Sequence, residues 1–387
     1  MADRPLFWDL FCTVIDNYGD IGVTWRLARQ LAREQAMAVR LWVDDLAAFR
    51  QIWPEIDSDQ DTQWVSGVEV RRWTSPLPAA TPGDIVIEAL ACNLPESFVQ
   101  AMAERSPSPC WINLEYLSAE NWVLGVHGLP SPHPRLPLTK YFFMPGYVPG
   151  TGGLSHEAGL LAQRDAFQGN PAELQTFWSQ LGLPAASTNC LRLSLFSYES
   201  DSLASLLEAL SDSDRPSELM VPVGKSVAQL ATWFGVVKFQ PGDSASRGNL
   251  RVHLLPMLSQ EGYDRLLWAC DVNFVRGEDS FVRAQFAGRP LVWQAYRQEG
   301  DVHLDKLTAF LDLYCAALPQ PIALAVRELW QAWNREEKVG ACWRAYRDLL
   351  PNLLAHSRAW AAQLAEQEDL ASNLVKFSNK LLESRVF

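Results

Sequence analysis

Two acids four positions apart, Asp16 and Asp20, stand in the stretch CTVIDNYGDIGVTWRLARQLARE that begins at Cys12. An apolar run precedes them, and helical spacing at Ile21, Trp25, Ala28 and Leu31 follows. With Asn17, Tyr18 and Gly19 they form a short loop between a strand and a helix. Gly19 and Gly22 let the chain turn tightly and bring backbone amides near a ligand. Amides at a helix entrance favour negative charge, and so an ionised Asp20. One acid, or Asn17 alone, would be enough to cap the helix. Two carboxylates beside an amide and a phenol exceed that need, so the loop reads as chemical rather than as a cap alone.

A second loop combines charge in a different way. In VNFVRGEDSFVRAQFAGRPLVWQ a strand ends at Arg276-Gly277-Glu278-Asp279-Ser280 and a helix begins. Ser280 suits the helix N-cap. Free amides at a helix start, joined by the Arg276 guanidinium, would hold a phosphate. Glu278 and Asp279 would repel a phosphate in direct contact and are better suited to accepting hydrogen bonds from sugar hydroxyls. The combination suggests a nucleotide-sugar pocket, although taken alone it is also what a solvated charged turn looks like. Other patterns are weaker. VPVGKS at 221–226 echoes a phosphate-binding loop, but Leu219 stands where that motif needs glycine, so it reads as a strand followed by a helix cap. The Asp-Ser-Asp triplets at 57–59 and 212–214 read as solvated turns. The six histidines show no paired ligand spacing on a helix, and nothing requires a metal.

The elements that would carry these loops come in two series. LFWDLFCTVI, VRLWVDD, VEVRRW, GDIVIEAL and PCWINLEYL read as strands separated by helical segments. A second alternating series starts near Cys190, and the pattern is helical from about Pro321. Between them, prolines and glycines crowd 125–154, which predicts mostly irregular chain. Alternation of this kind argues for parallel sheets covered by helices on both faces. The reading is an α/β protein of two doubly wound domains. They span 1–180 and 181–360, and the C-terminal helix, 361–387, packs back on the first. In such sheets ligands bind at the carboxyl ends of the strands, where both loops fall.

Bulk properties narrow the function. The chain has 387 residues, 48% of them hydrophobic and 20% charged, as in a folded soluble protein. A net charge of −12 and the absence of a basic run argue against nucleic acid as a partner. Seven dispersed cysteines with no Cys-x-x-Cys pair predict reduced, buried thiols. Neither a signal peptide nor a run long enough to span a membrane is recognisable, so a cytoplasmic location is expected.

The motifs FCTVIDNYGDIGVTWRLARQLA, INLEYLSAENW and VRGEDSFVRAQFAGRPLVWQ resemble the bacterial protein-arginine rhamnosyltransferases that modify elongation factor P, the EarP family. The resemblance runs almost end to end. It implies a GT-B architecture, two Rossmann-like domains facing across a cleft, with the acceptor on the N-terminal half and the donor on the C-terminal half. It further implies dTDP-β-L-rhamnose as donor, an arginine guanidinium of elongation factor P as acceptor, inversion at the anomeric carbon, and neither cofactor nor metal. Carried over by motif, the loop acids are Asp16 and Asp20, with Asp20 the general base. Donor contacts fall on Phe196, Tyr198, Gln260, Arg276, Glu278, Asp279 and Ser280. Glu115 and Tyr116 are placed at the acceptor by their position at a strand end, where a buried cap or core contact would explain them equally. Two other readings stay open: a GT-B enzyme with another sugar or acceptor, and a binding protein for the nucleotide sugar or the elongation factor without turnover. An oxidoreductase is disfavoured, because no Gly-x-Gly-x-x-Gly follows the first strand.

Overall fold

The computed structural model describes residues 5–15, 18–184 and 189–384. The chain divides into two units, Met1–Ala158 with Ala365–Phe387, and Gly159–Leu364. The expected boundary near 180 therefore moves back by two helices. Helices Leu160–Gln168 and Pro171–Gln180 belong to the second unit. The reason is packing: Phe167 meets Trp268 edge-on at 5.8 Å, and the buried Arg164 donates to Phe286 O at 2.9 Å. The C-terminal helix Leu370–Glu383 sits in the first unit, with Leu370, Ala371 and Leu374 buried in its core.

The apolar runs of the first unit become β1 (Phe7–Cys12), β2 (Ala38–Val43), β3 (Thr62–Val65), β4 (Val68–Arg72), β5 (Ile85–Ala89), β6 (Cys110–Leu114), β7 (Pro130–Pro132) and β8 (Thr139–Phe143). They form one sheet in the order β3-β4-β2-β1-β5-β6-β8-β7. Its interior pairs are parallel, while β3 and β7 close the two edges antiparallel. Sequence reading leaves 125–154 mostly irregular, yet it contains the β7–β8 hairpin. Pro130 and Pro132 are tolerated because β7 is an edge strand, where a missing N–H costs no ladder bond. Helix Gly19–Arg33 lies against β1 and β2 and is buried nearly all round, well beyond the predicted stripe of Ile21, Trp25, Ala28 and Leu31. Its polar residues are accommodated in kind: Arg29 lies over the Trp53 ring at 4.2 Å, and Gln30 Nε2 reaches His156 O and Asp369 Oδ1. On the opposite face the fully buried Asp9 accepts from Arg40 Nε and Nη2, Trp42 Nε1 and the Gly83 amide. A buried charge of this kind is tolerable only with such partners.

The second unit holds β9 (Leu191–Leu195), β10 (Ser217–Pro222), β11 (Ser244–Arg247), β12 (Leu250–Leu255), β13 (Val272–Arg276) and β14 (Leu291–Gln294). Their order is β11-β12-β10-β9-β13-β14, parallel except for the edge strand β11. The helical tail begins earlier than expected, at Val302–Tyr314. Trp330, Trp333 and Trp343, three of the 16 tryptophans in the sequence, are fully buried on this side.

Glu218 on β10 sits beside His253, 3.7 Å from its Nε2, and accepts from Arg192 Nε at 2.7 Å. These neighbours, His253 first, pull its carboxyl from the ordinary 4.5 down to about 2. A depressed carboxyl stabilises the fold fully above 4.5 and loses that contribution as pH falls toward 2. Denaturant midpoints should therefore drop between pH 5 and pH 2.5 by less in Glu218→Gln than in the parent chain. An equal drop would exclude Glu218 as a source of acid sensitivity.

Candidate functional site

Each unit reverses its strand order at one point. In the first sheet the chain runs outward from β1 to β2 and β4, then returns to β5 on the other side. The crevice for a ligand in such a sheet opens at the carboxyl ends of those two strands. Asp20 stands there, in the first turn of helix Gly19–Arg33, and is 2% exposed. Its Oδ2 accepts the Ile15 amide at 2.8 Å, and its Oδ1 lies 3.1 Å from the Tyr116 hydroxyl. The hydroxyl of Thr24 binds the Asp20 carbonyl at 2.8 Å. The Ile15 and Tyr116 contacts fix the orientation of the carboxylate. Nearby Cys12 is pushed well up by burial and stays a neutral thiol, which removes it as a nucleophile.

The other predicted residues of this loop divide. Asp16 and Asn17 lie outside the described residues. Tyr18 occupies the N-cap position, without a side-chain cap bond, and its ring packs against the core; Gly19 is the first helical residue. Tyr116 joins Asp20 and also lies 3.2 Å from Leu90 O, whereas Glu115 Oε1 is engaged by Asn113 Nδ2 at 2.5 Å. Sequence reading missed the far wall of the crevice. Leu90 and Ala91, just past β5, have φ of +54° and +62°, a left-handed pair rarely built without glycine. That turn presents the Leu90 carbonyl to Tyr116, and no residue type in LAC signals it.

In the second sheet the reversal lies between β9 and β13. Phe196 and Tyr198 leave the end of β9, and Arg276 ends β13. The Arg276 guanidinium lies 4.5 Å from the Phe196 ring centroid and 4.4 Å from that of Tyr198, with the residue 5% exposed. Such contacts hold a cation in one orientation. Tyr263 packs edge-on against Phe196. Gln260 is buried in the first turn of helix Gln260–Ala269 and donates to Asp279 Oδ2 at 3.2 Å. Ser280 is not the cap that its sequence position suggests. Helix Asp279–Phe286 is preceded by Glu278 at the N-cap position, and the Ser280 hydroxyl turns back to the end of β13, donating to Arg276 O and accepting from Arg276 N. The hydroxyl prefers two backbone partners four residues back to one amide ahead. Gly277, with φ of +63°, supplies the turn that brings them together.

Phe196, Tyr198, Gln260, Arg276, Asp279 and Ser280 are thus gathered at one strand end, with Glu278 at the rim. Two glutamines that sequence reading passed over brace the loop after β9. Gln294 Oε1 accepts the Tyr198 amide at 2.8 Å. Gln229 accepts from Ser200 N and donates to Ser200 O, each at 3.1 Å. An arginine-lined cavity of about 380 Å³ lies elsewhere, beside Phe7 and Gly83 at the amino end of the first sheet. Its Arg40, Arg71 and Arg105 are paired with Asp9, Glu69 and Asp84, which leaves it a poor competitor for the chemistry. Among the described residues no helix is long and apolar enough to cross a membrane.

Against known proteins the likeness is extensive. The family model described as elongation factor P (EF-P) rhamnosyltransferase EarP matches residues 8–379. A protein-arginine rhamnosyltransferase of Pseudomonas putida is 50% identical over 370 residues, covering 96% of this chain and 98% of the relative. A solved structure that gives the structural basis for EarP-mediated arginine glycosylation of translation elongation factor EF-P is 38% identical, with a TM-score of 0.71 over 97% of this chain and 99% of that one. A glycosyltransferase of Rickettsia africae shares only the fold, at 10% identity and a TM-score of 0.51, with 98% and 99% of the two chains covered. This chain therefore belongs to the elongation factor P rhamnosyltransferase (EarP) family and has its GT-B type of α/β fold, built on two Rossmann-like units.

Proposed function

We propose that this chain transfers L-rhamnose from dTDP-β-L-rhamnose to an arginine guanidinium of elongation factor P, with inversion at the anomeric carbon and without a metal. The observation that carries the chemistry is Asp20, a buried carboxylate held by the Ile15 amide and the Tyr116 hydroxyl at the strand-order reversal of the first unit. A guanidinium has a pKa above about 12 and delocalised lone pairs, so it is a poor nucleophile that a carboxylate cannot deprotonate in the ground state. An aligned carboxylate can hold the cation, point one nitrogen at the sugar, and accept the proton as the new bond forms. In that step the nitrogen–carbon bond forms while the bond from the anomeric carbon to the diphosphate oxygen breaks. The proton passes to Asp20, the electron pair leaves on dTDP, and the arginine keeps its single positive charge.

Donor binding belongs to the second unit in this reading. Arg276, steadied by Phe196 and Tyr198, stabilises charge growing on the leaving diphosphate together with the amides opening helix Asp279–Phe286. Glu278 and Asp279 accept from sugar hydroxyls, with Asp279 oriented by Gln260. Asp16 shares the acceptor cation with Asp20, and the reaction takes place in the cytoplasm, where a translation factor is found. Intact mass of elongation factor P after incubation with this protein and dTDP-rhamnose tests the whole reading. One deoxyhexose on one arginine is the expected result. A bound donor and a competent acceptor with no adduct would exclude this acceptor.

Tyr116 then has a defined task, orienting the base. Tyr116→Phe removes one hydrogen bond to a charged group, so kcat should fall about tenfold while dTDP affinity stays the same. An unchanged kcat would show that the hydroxyl does not steer Asp20.

A further inference from the structure

We propose that Lys225 is a second cation of the donor site, contacting the nucleotide diphosphate alongside Arg276. The inference rests on the donor reading above and extends it to the GKS turn that the sequence motif alone leaves without a role. β10 is the neighbour of β9 in the second sheet, so the turn after β10 opens at the same end as the loop of Phe196 and Tyr198. Lys225 Nζ lies 5.7 Å from the centroid of the Tyr198 ring, the ring that Arg276 also approaches. Gly224 brings the backbone of the turn so close to Phe196 that a Cβ there would meet its ring at 3.4 Å.

One feature fixes the turn that carries Lys225, and a second leaves its charge available. Gln229, in the first turn of the helix Val227–Phe234 that follows, binds both the N–H and the carbonyl of Ser200. The Lys225 turn and the aromatic loop are thereby joined two residues past Tyr198. Lys225 is also exposed and has no ion-pair partner among the described residues, unlike Arg192 and Arg283 of the same unit, which are buried against Glu218 and Asp264. A lysine of that kind keeps its full charge for a ligand, as a mobile point charge rather than a planar fork. Arg276 would fix the diphosphate by geometry, and Lys225 would balance its remaining charge from the side of β10. Charge on the nucleotide, and not the base or sugar, is what Lys225 would read.

The experiment is calorimetric binding of dTDP and of thymidine to the full chain, comparing the parent with Lys225→Gln, Lys225→Arg and Arg276→Ala. Lys225→Gln should weaken dTDP about five- to tenfold, the scale of one exposed charge-assisted contact, with thymidine unaffected. Lys225→Arg should restore most of the loss, and the salt dependence of dTDP binding should be shallower in Lys225→Gln. Unchanged dTDP affinity in Lys225→Gln, with a loss in Arg276→Ala, overturns the role of Lys225 and leaves the donor site standing. Equal weakening of dTDP and thymidine overturns it as well, because that pattern marks a distorted loop. Failure of both Lys225→Gln and Arg276→Ala to change dTDP binding overturns the diphosphate assignment at this strand end, and the role of Lys225 with it.

Discussion

Asp20→Asn is expected to fold, to bind dTDP as the parent does, and to lose turnover about 10³–10⁴-fold, the range of a removed general base that also positions its substrate. The substitution is a clean one because of what surrounds the carboxylate. The Ile15 amide can only donate, so it needs an oxygen at the Oδ2 position, and the asparagine carbonyl supplies one. The new NH₂ then faces the Tyr116 hydroxyl, which can turn to accept. Shape and backbone contacts survive, while the group that takes the proton is gone. The proposed donor residues all come from the second unit, so dTDP affinity serves as a control that the protein is intact. The measurements are kcat with elongation factor P as acceptor, dTDP affinity, and a melting temperature. Turnover within tenfold of the parent, in a folded variant, would remove Asp20 as the base and turn attention to Asp16.

What was legible in the sequence follows the strength of each physical signal. Period-two and continuous apolar runs locate the central parallel strands, because burial on both faces leaves little room for polar residues. The edges are harder to read. β3, β7 and β11 have mostly half-buried or exposed residues, and β7 carries two prolines, so nothing in their composition separates them from loop. The unit boundary was misplaced for a related reason. Helices Leu160–Gln168 and Pro171–Gln180 follow the first series in the chain, but their partners, among them Trp268 and Phe286, lie about a hundred residues further on.

At the sites, residue chemistry was legible and geometry was not. Two acids in a turn, or an arginine before two acids and a serine, announce themselves by type. That Asp20 is reached by Tyr116 depends on β6 lying two strands from β1, which no local pattern encodes. The left-handed pair Leu90–Ala91 breaks the usual rule for such backbone, and cost of that kind tends to collect at functional crevices. Ser280 shows the limit from another side. A serine before an apolar helix predicts a cap, but with a glycine turn just upstream the same hydroxyl finds two backbone partners behind it.

Arg276→Ala is expected to weaken dTDP about 30- to 100-fold and to lower kcat/KM about 10³-fold, since a contact to a leaving group counts more in the transition state than in the ground state. The loop should survive the change. Arg276 meets Ser280 through its own backbone N–H and carbonyl, and neither is altered by removing the side chain. Phe196 and Tyr198 lose the cation between them but keep Tyr263 and Tyr296 as edge-on partners. Arg276→Lys sharpens the test, because it keeps the charge and discards the planar fork. If the guanidinium grips two phosphate oxygens at once, lysine should recover less than half of the lost binding free energy; if it supplies only charge, recovery should be nearly complete. Unchanged dTDP affinity in a folded Arg276→Ala would sink the diphosphate assignment. A fall in kcat/KM without any change in dTDP affinity would instead place Arg276 on the sugar, where charge develops only as the anomeric bond opens.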